Sequence, residues 1–376
     1  MTIGHLVRDT AFGQIVRLLT KNRVFQYPEE QDPEHWKKYL NEEKSGYIAH
    51  HGDTAPPEDD SQETLQNARG MRTRDAQGDG ATDSRESMNT EATYNEASGV
   101  RVDQEKGRDK NVVDWYGPND PENPRNWSMS KKFFVTGEIV LLTFSIYIGS
   151  AIYTPGLMGV MQEFGVSQVA ATLGLTLFVA GYGVGPLLWS PMSEIPQFGR
   201  NPIYIATLLV FVLFQIPTAL AKNFGMLLAF RFLTGFFGSP ALATGGATIA
   251  DMYRPSKQAY GLSIWGIGAV CGPCLGPLVG GFAAQAEDWT WPIWELMWLS
   301  GFCWVFLFFL LPETSSANIL YRRTKRLRKL TGNEKLICEP ELMAEQMTGK
   351  DIIQMTLIRP ITLTLTEPMV FLLNLK

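Results

Sequence analysis

Six stretches of this chain carry no charged side chain at all: 139–162, 164–193, 201–221, 232–250, 258–286 and 296–312. A helix rises ~1.5 Å per residue, so ~20 residues cross the ~30 Å hydrocarbon core of a bilayer. Most of these runs are that long alone, and the others become so when extended slightly past a terminal charge. Backbone polar groups in lipid must be satisfied internally, which leaves helices and closed barrels. The runs are too long and too evenly apolar for barrel strands. The sequence therefore predicts an all-α membrane protein, a bundle of six transmembrane helices at about 133–156, 170–190, 202–221, 225–248, 259–281 and 292–311.

The charge lies at the two ends. Of 33 basic and 38 acidic residues in 376, residues 1–130 hold 16 and 24, residues 131–313 hold 7 and 8, and residues 314–376 hold 10 and 6. This predicts four regions: a cytoplasmic tail over 1–130, a six-span domain over 131–313, a cytoplasmic central loop over 314–360, and the start of a truncated seventh span over 361–376. An acidic tail beside an apolar middle excludes nucleic acid as a partner and makes the lipid bilayer the first one. Within the tail, Ile3, Leu6, Val7, Ala11, Ile15, Leu18 and Leu19 fall at helical spacing, with Arg8, Gln14, Arg17 and Lys21 off the stripe. That is a short amphipathic helix, lying on the inner leaflet or on the protein's own surface. Residues 56–109 have almost no large apolar side chain and read as disordered. Eleven Lys and Arg flank the spans on one side (Lys131, Lys132, Arg200, Arg254, Lys257 and six between Arg322 and Lys329), against Lys222 alone on the other. The positive-inside rule then puts both termini of this sequence in the cytoplasm. The basic cluster is either a stop signal or one face of a helix resting on anionic lipid.

Ionisable residues inside spans are costly and so draw attention. Arg231 lies nine residues past Lys222, ~13 Å along a helix, where it either snorkels to the interface or serves transport. Glu138 lies six residues past Lys132, ~9 Å in, with the same two readings. Between spans two and three, Glu194, Gly199 and Arg200 place a carboxylate, a glycine turn and an arginine at one cytoplasmic helix end, an arrangement suited to an ion pair. Asp251 ends span four on the same side and is placed to join it. Cys271-Gly-Pro-Cys274 has the letters of a redox dithiol. It sits mid-span, however, inside a longer repeat of glycine and Gly-Pro at four-residue spacing, which clears one helix face for close approach of another. All four histidines precede residue 52, and no P-loop, paired catalytic carboxylates, nucleophile triad or metal-ligand cluster is present, so the chain does not read as an enzyme.

These features together resemble the major facilitator superfamily. Gly261, Gly268, Gly272, Pro273, Gly276, Pro277 and Gly280 fill, without a gap, a pattern like the antiporter signature of its fungal twelve-span drug:proton antiporters. Arg231-x-x-x-Gly235 in span four belongs to the same superfamily resemblance, and the stretch from Asp114 to Trp127 and Pro312-Glu313-Thr314 are similar to multidrug exporters of the fluconazole- and benomyl-resistance type. The resemblance implies the amino-terminal half of such a fold, with a second six-span half expected beyond residue 376. It implies proton-driven export of small hydrophobic or amphipathic drugs across the plasma membrane, with no cofactor besides the proton gradient. It also implies a cytoplasmic gate at Glu194, Gly199, Arg200 and Asp251, proton or substrate coupling at Arg231 and Glu138, and a pocket wall at Tyr147, Tyr153, Phe178 and Trp265. The usual carboxylate-x-x-Gly-Arg turn has two extra residues here. Two other readings remain open: a non-transporting six-span fragment from a shortened gene model, and a facilitator for polyamines or other polar solutes.

Overall fold

The computed structural model describes residues 3–32, 34–37 and 111–346, with isolated positions at 354, 358, 362, 366 and 367. The stretch expected to be disordered and the start of a seventh span lie outside the described residues, apart from three of those positions.

Six helical segments are long and apolar enough to cross a membrane: Met129–Phe164, Gln168–Glu194, Asn201–Ala219, Phe224–Met252, Pro255–Ala286 and Trp291–Leu310. They are spans one to six. The starts of spans one, two and four are set by polar caps. Ser128, Ser167 and Asn223 each accept a hydrogen bond from a backbone N–H three residues on, satisfying donors that a helix start leaves free. Gly165, at φ +63°, closes span one in the left-handed conformation that glycine tolerates best.

Span one is the hub. Its Ile139, Leu142 and Ile146 are buried with Tyr204, Leu208 and Phe211 of span three, Ile249 of span four, and Leu296, Cys303 and Leu307 of span six. A second cluster at the other end joins Tyr153 and Val160 to Ala171, Leu227, Trp289 and Ile293.

The tail is not an appendage. The sequence suggested one amphipathic helix over 3–20 with Arg8 and Arg17 off its apolar stripe. The structure breaks it into α1 (Ile3–Arg8) and α2 (Ala11–Leu19), because the Thr10 hydroxyl caps α2 by accepting from the Gly13 N–H at 3.1 Å. Arg8 and Arg17 are buried, and Ile15, Leu18 and Leu19 are exposed. Arg17 forks onto Glu30 at 2.9 and 2.7 Å. The basic helix Ser316–Thr331 likewise turns charge inward rather than toward lipid. Its Arg323 donates to Asp120 at 2.8 Å and to Glu122 at 2.9 Å, while Arg326 pairs with Glu29 at 2.6 Å and stacks on Tyr27 at 3.5 Å. Burial would raise the Asp120 carboxyl, but the Arg323 guanidinium outweighs it and holds Asp120 below the usual carboxylate range. Val112–Val113 pairs in parallel with Ile337–Cys338. The described parts of the tail and of the segment after span six thus pack together as one collar at the basic end of the bundle.

Candidate functional site

Arg231 does not snorkel. It is fully buried, held by span four against spans one and two. Its Nε donates to the Gly174 carbonyl at 3.2 Å and its Nη1 to the Gly149 carbonyl at 3.1 Å. The guanidinium lies 4.4 Å from the Tyr153 ring centroid and 4.9 Å from that of Phe178. Such cation–π contacts strengthen when desolvated. The glycines make the cage possible. A Cβ on Gly174 would sit 2.6 Å from the Tyr153 hydroxyl, and one on Gly235 would collide with the Phe178 carbonyl. Nη2 has no hydrogen-bond partner, and no carboxylate pairs with Arg231 among the described residues. The arrangement is a fixed cation with one nitrogen, Nη2, unpartnered, walled by aromatic rings.

The cage alters the expected pocket wall. Tyr153 and Phe178 are each 1 % exposed, so they serve the arginine rather than an open surface. The half-buried aromatics are Tyr147 and Tyr182, whose ring centroids lie 5.8 Å apart, with Tyr182 a further 6.2 Å from Phe178. Trp265 is also half-buried and donates from Nε1 to the Thr143 hydroxyl at 2.9 Å. Thr143 and Tyr147 are one turn apart on span one, so spans one, two and five bring Trp265, Tyr147 and Tyr182 along one side of it. Tyr182 and Thr143 escaped the sequence reading. The i+4 spacing of Tyr182 from Phe178 was the available signal.

Glu138 is likewise enclosed by the protein. It is 2 % exposed, and neither carboxyl oxygen has a partner. It lies eleven residues before Gly149, ~16 Å along span one, so it and Arg231 are separate features.

At the basic end, Arg200 donates from Nε to Asp251 at 2.8 Å and from Nη1 to the Thr244 carbonyl at 3.4 Å. Glu194 does not join them. It is exposed, at the last residue of span two. Glu313, which follows span six, enters instead. Its carboxylate accepts from the backbone N–H groups of Arg200 and Asn201 at 3.2 and 3.3 Å, at the start of span three, where a helix dipole favours an anion. It also accepts from Thr314 and Ser315 at 3.0 and 2.9 Å. Gly199 is at φ +76°, and a Cβ there would meet Glu313 Oε2 at 2.6 Å. Spans three, four and six are thereby fastened together.

The glycine face of span five lies against span one. A Cβ on Gly268 would meet Val140 Cγ1 at 2.7 Å, one on Gly272 the Tyr147 Cβ at 2.8 Å, and one on Gly276 the Ile152 nitrogen at 2.9 Å. Gly280 packs on the Ile152 carbonyl, and Gly261 on Ile249 of span four. Pro273 and Pro277 lie inside the same continuous helix. Cys271 and Cys274 are free thiols, the first half-buried and the second exposed.

A family model, Major Facilitator Superfamily, matches residues 139–372. The chain belongs to the major facilitator superfamily. It is a multi-pass membrane protein of that superfamily of transporters. It is 48 % identical to "Transporter mfs1" of Schizosaccharomyces pombe over 70 % of this chain and 50 % of that protein. It is 37 % identical to the "Cycloheximide resistance protein" of Candida maltosa over 98 % of this chain and 62 % of that one. It is 40 % identical to "Fluconazole resistance protein 1" of Saccharomyces cerevisiae over 83 % and 58 %. The chain spans about half to three fifths of the length of these superfamily relatives, and its six spans correspond to an amino-terminal half.

Proposed function

We propose that the complete protein exports hydrophobic or amphipathic drugs across the plasma membrane, driven by the proton gradient. The observation that carries this is the Arg231 cage: a buried guanidinium with an unpartnered Nη2, ringed by Tyr153 and Phe178, with the half-buried Tyr182 and Tyr147 continuing the aromatic row from Phe178. Aromatic walls with few polar groups suit broad apolar ligands, and the relatives named for cycloheximide and fluconazole resistance support that substrate class. Glu138 is the proposed proton carrier. A carboxyl sealed in apolar surroundings exchanges a proton more readily than it bears a bare charge, and membrane-buried carboxyls mark proton relays. Polyamines fit less well, because the fixed cation of Arg231 would repel them.

The test is efflux of a fluorescent drug from a drug-sensitive fungal strain lacking its own exporters. The full-length protein should lower retention, and a protonophore, Arg231→Ala or Glu138→Gln should each abolish the effect. Efflux that persists with a protonophore would defeat the coupling. Efflux that persists in the Arg231→Ala variant would defeat the site.

A further inference from the structure

We infer that α2 is a membrane-surface anchor whose Ile15, Leu18 and Leu19 insert into the cytoplasmic leaflet beside span six. The helix is laid out in reverse of a soluble surface helix. Its polar side is occupied by protein: Arg17 is buried against Glu30, and Gln14 donates to the Arg8 carbonyl and to the Tyr27 hydroxyl, both at 3.0 Å. Its apolar side is left open, with Ile15 47 %, Leu18 78 % and Leu19 73 % exposed. Three adjacent large aliphatic side chains in water would be an unusual patch, and their opposite face is already taken.

The occupant follows from continuity with the lipid-facing surface of span six. Phe302, Val305 and Phe309 are exposed at i, i+3 and i+7, a single stripe descending that helix to its basic end. Phe12 of α2 packs on Phe309 with centroids 4.9 Å apart and on Phe308 at 6.3 Å. On a helical wheel Phe12, Ile15 and Leu19 share one side, with Leu18 adjoining. The stripe of span six therefore passes through Phe12 onto α2 without a break. The depth is fixed by backbone contacts: Thr10 bridges to Pro312, and the Glu313 N–H donates to the Asp9 carbonyl at 3.1 Å, both just past the end of span six. A nine-residue helix is ~14 Å long, and α2 lies at the level where hydrocarbon gives way to headgroups. Lys21 and Arg23 follow it, both exposed and at headgroup height, where anionic lipid attracts them.

Full-length protein with its native cysteines replaced, carrying a nitroxide at residue 15, 18, 19, 21 or 23, would be reconstituted in phosphatidylcholine–phosphatidylserine bilayers. Power saturation with oxygen and with a nickel chelate then reads depth. Positions 15, 18 and 19 should be open to oxygen and at least several-fold less open to nickel than positions 21 and 23. Equal nickel access at all five would place the helix in water and overturn the anchor. Shielding of 15, 18 and 19 from both reagents would mean a protein covers them, which also overturns it. A second readout leaves the protein unaltered: a phospholipid bearing a diazirine near the top of its acyl chain should cross-link within residues 9–21. The absence of such adducts, with span six labelled in the same sample, would refute the proposal.

Discussion

Arg231 could be read from its isolation in an uncharged run, but what it does could not. The two carbonyls it satisfies belong to Gly149 and Gly174, and no local pattern joins three helices at those points. Replacing it with lysine keeps the charge and loses the fork that reaches both carbonyls. Hydrogen bonds to charged groups contribute about 1.5–3 kcal/mol each. Arg231→Lys is therefore expected to lower the melting temperature of purified protein and to cut efflux sharply, not to behave as a silent change. A melting curve and an efflux rate indistinguishable from the parent protein would show that the fork is dispensable. Gly199 is a cleaner case. Its φ of +76° and the 2.6 Å approach to Glu313 Oε2 both exclude a side chain. Gly199→Ala should cost more than about 1 kcal/mol, measurable as a fall in thermal midpoint. Glu194 was the carboxylate nearest this turn in sequence and so the natural partner to assign to Arg200. The helix carries it outward, and Glu313, more than a hundred residues later, takes the neighbouring position. Side-chain direction at a helix end depends on the rotation of the last turn, which the two extra residues before Gly199 obscure.

The spans were legible because the cost of charge in hydrocarbon leaves an unmistakable gap in the sequence. Their ends were less so, because Ser128, Ser167 and Asn223 extend them with caps that carry no hydrophobic signal. The glycine repeat of span five was legible as a packing face, though not its partner, span one. The opposite face of span five presents Ile267, Val270, Leu278 and Phe282, all exposed. That asymmetry gives an internal control. Leucine at Gly272 or Gly276 would overpack the contact with span one, at a cost of roughly 1–3 kcal/mol. Leucine at Gly266 or Gly281, where a Cβ meets nothing within 4 Å, should leave stability near its starting value. Thermal unfolding of the four variants in detergent decides it, and equal effects would mean that helix propensity, not the interface, governs this span. Replacing Cys271 and Cys274 with alanine should change neither stability nor efflux by a measurable amount. Loss of a dithiol activity on that change would reverse the reading of the motif.

Across the whole molecule, burial is uneven in a way that bears on whether residues 1–376 transport by themselves. Of the apolar stretch of each span, 61 % is buried in span one, 50 % in span three and 44 % in span four, but 28 % in spans two and six and 17 % in span five. Spans two, five and six therefore hold open faces, and the half-buried Tyr147, Tyr182 and Trp265 lie where spans two and five meet span one. At the basic end the opposite holds. Arg323 is buried with Asp120 and Glu122, and removing one partner of a buried pair costs about 3–5 kcal/mol. Arg323→Ala should thus free the tail, seen as faster tryptic cleavage before residue 130, while the six spans stay folded. The collar packs at one end of the bundle, whereas Tyr147 and Trp265 are only half-buried by the described residues. Alternating access needs two bodies rocking around a central site. Residues 1–376 expressed alone should therefore insert and fold as six spans yet leave drug retention in an exporter-deficient strain unchanged. The same residues followed by a six-span segment from a longer relative should lower it. Proton-dependent efflux by residues 1–376 alone, abolished by Arg231→Ala, would show that one half with its own open face suffices.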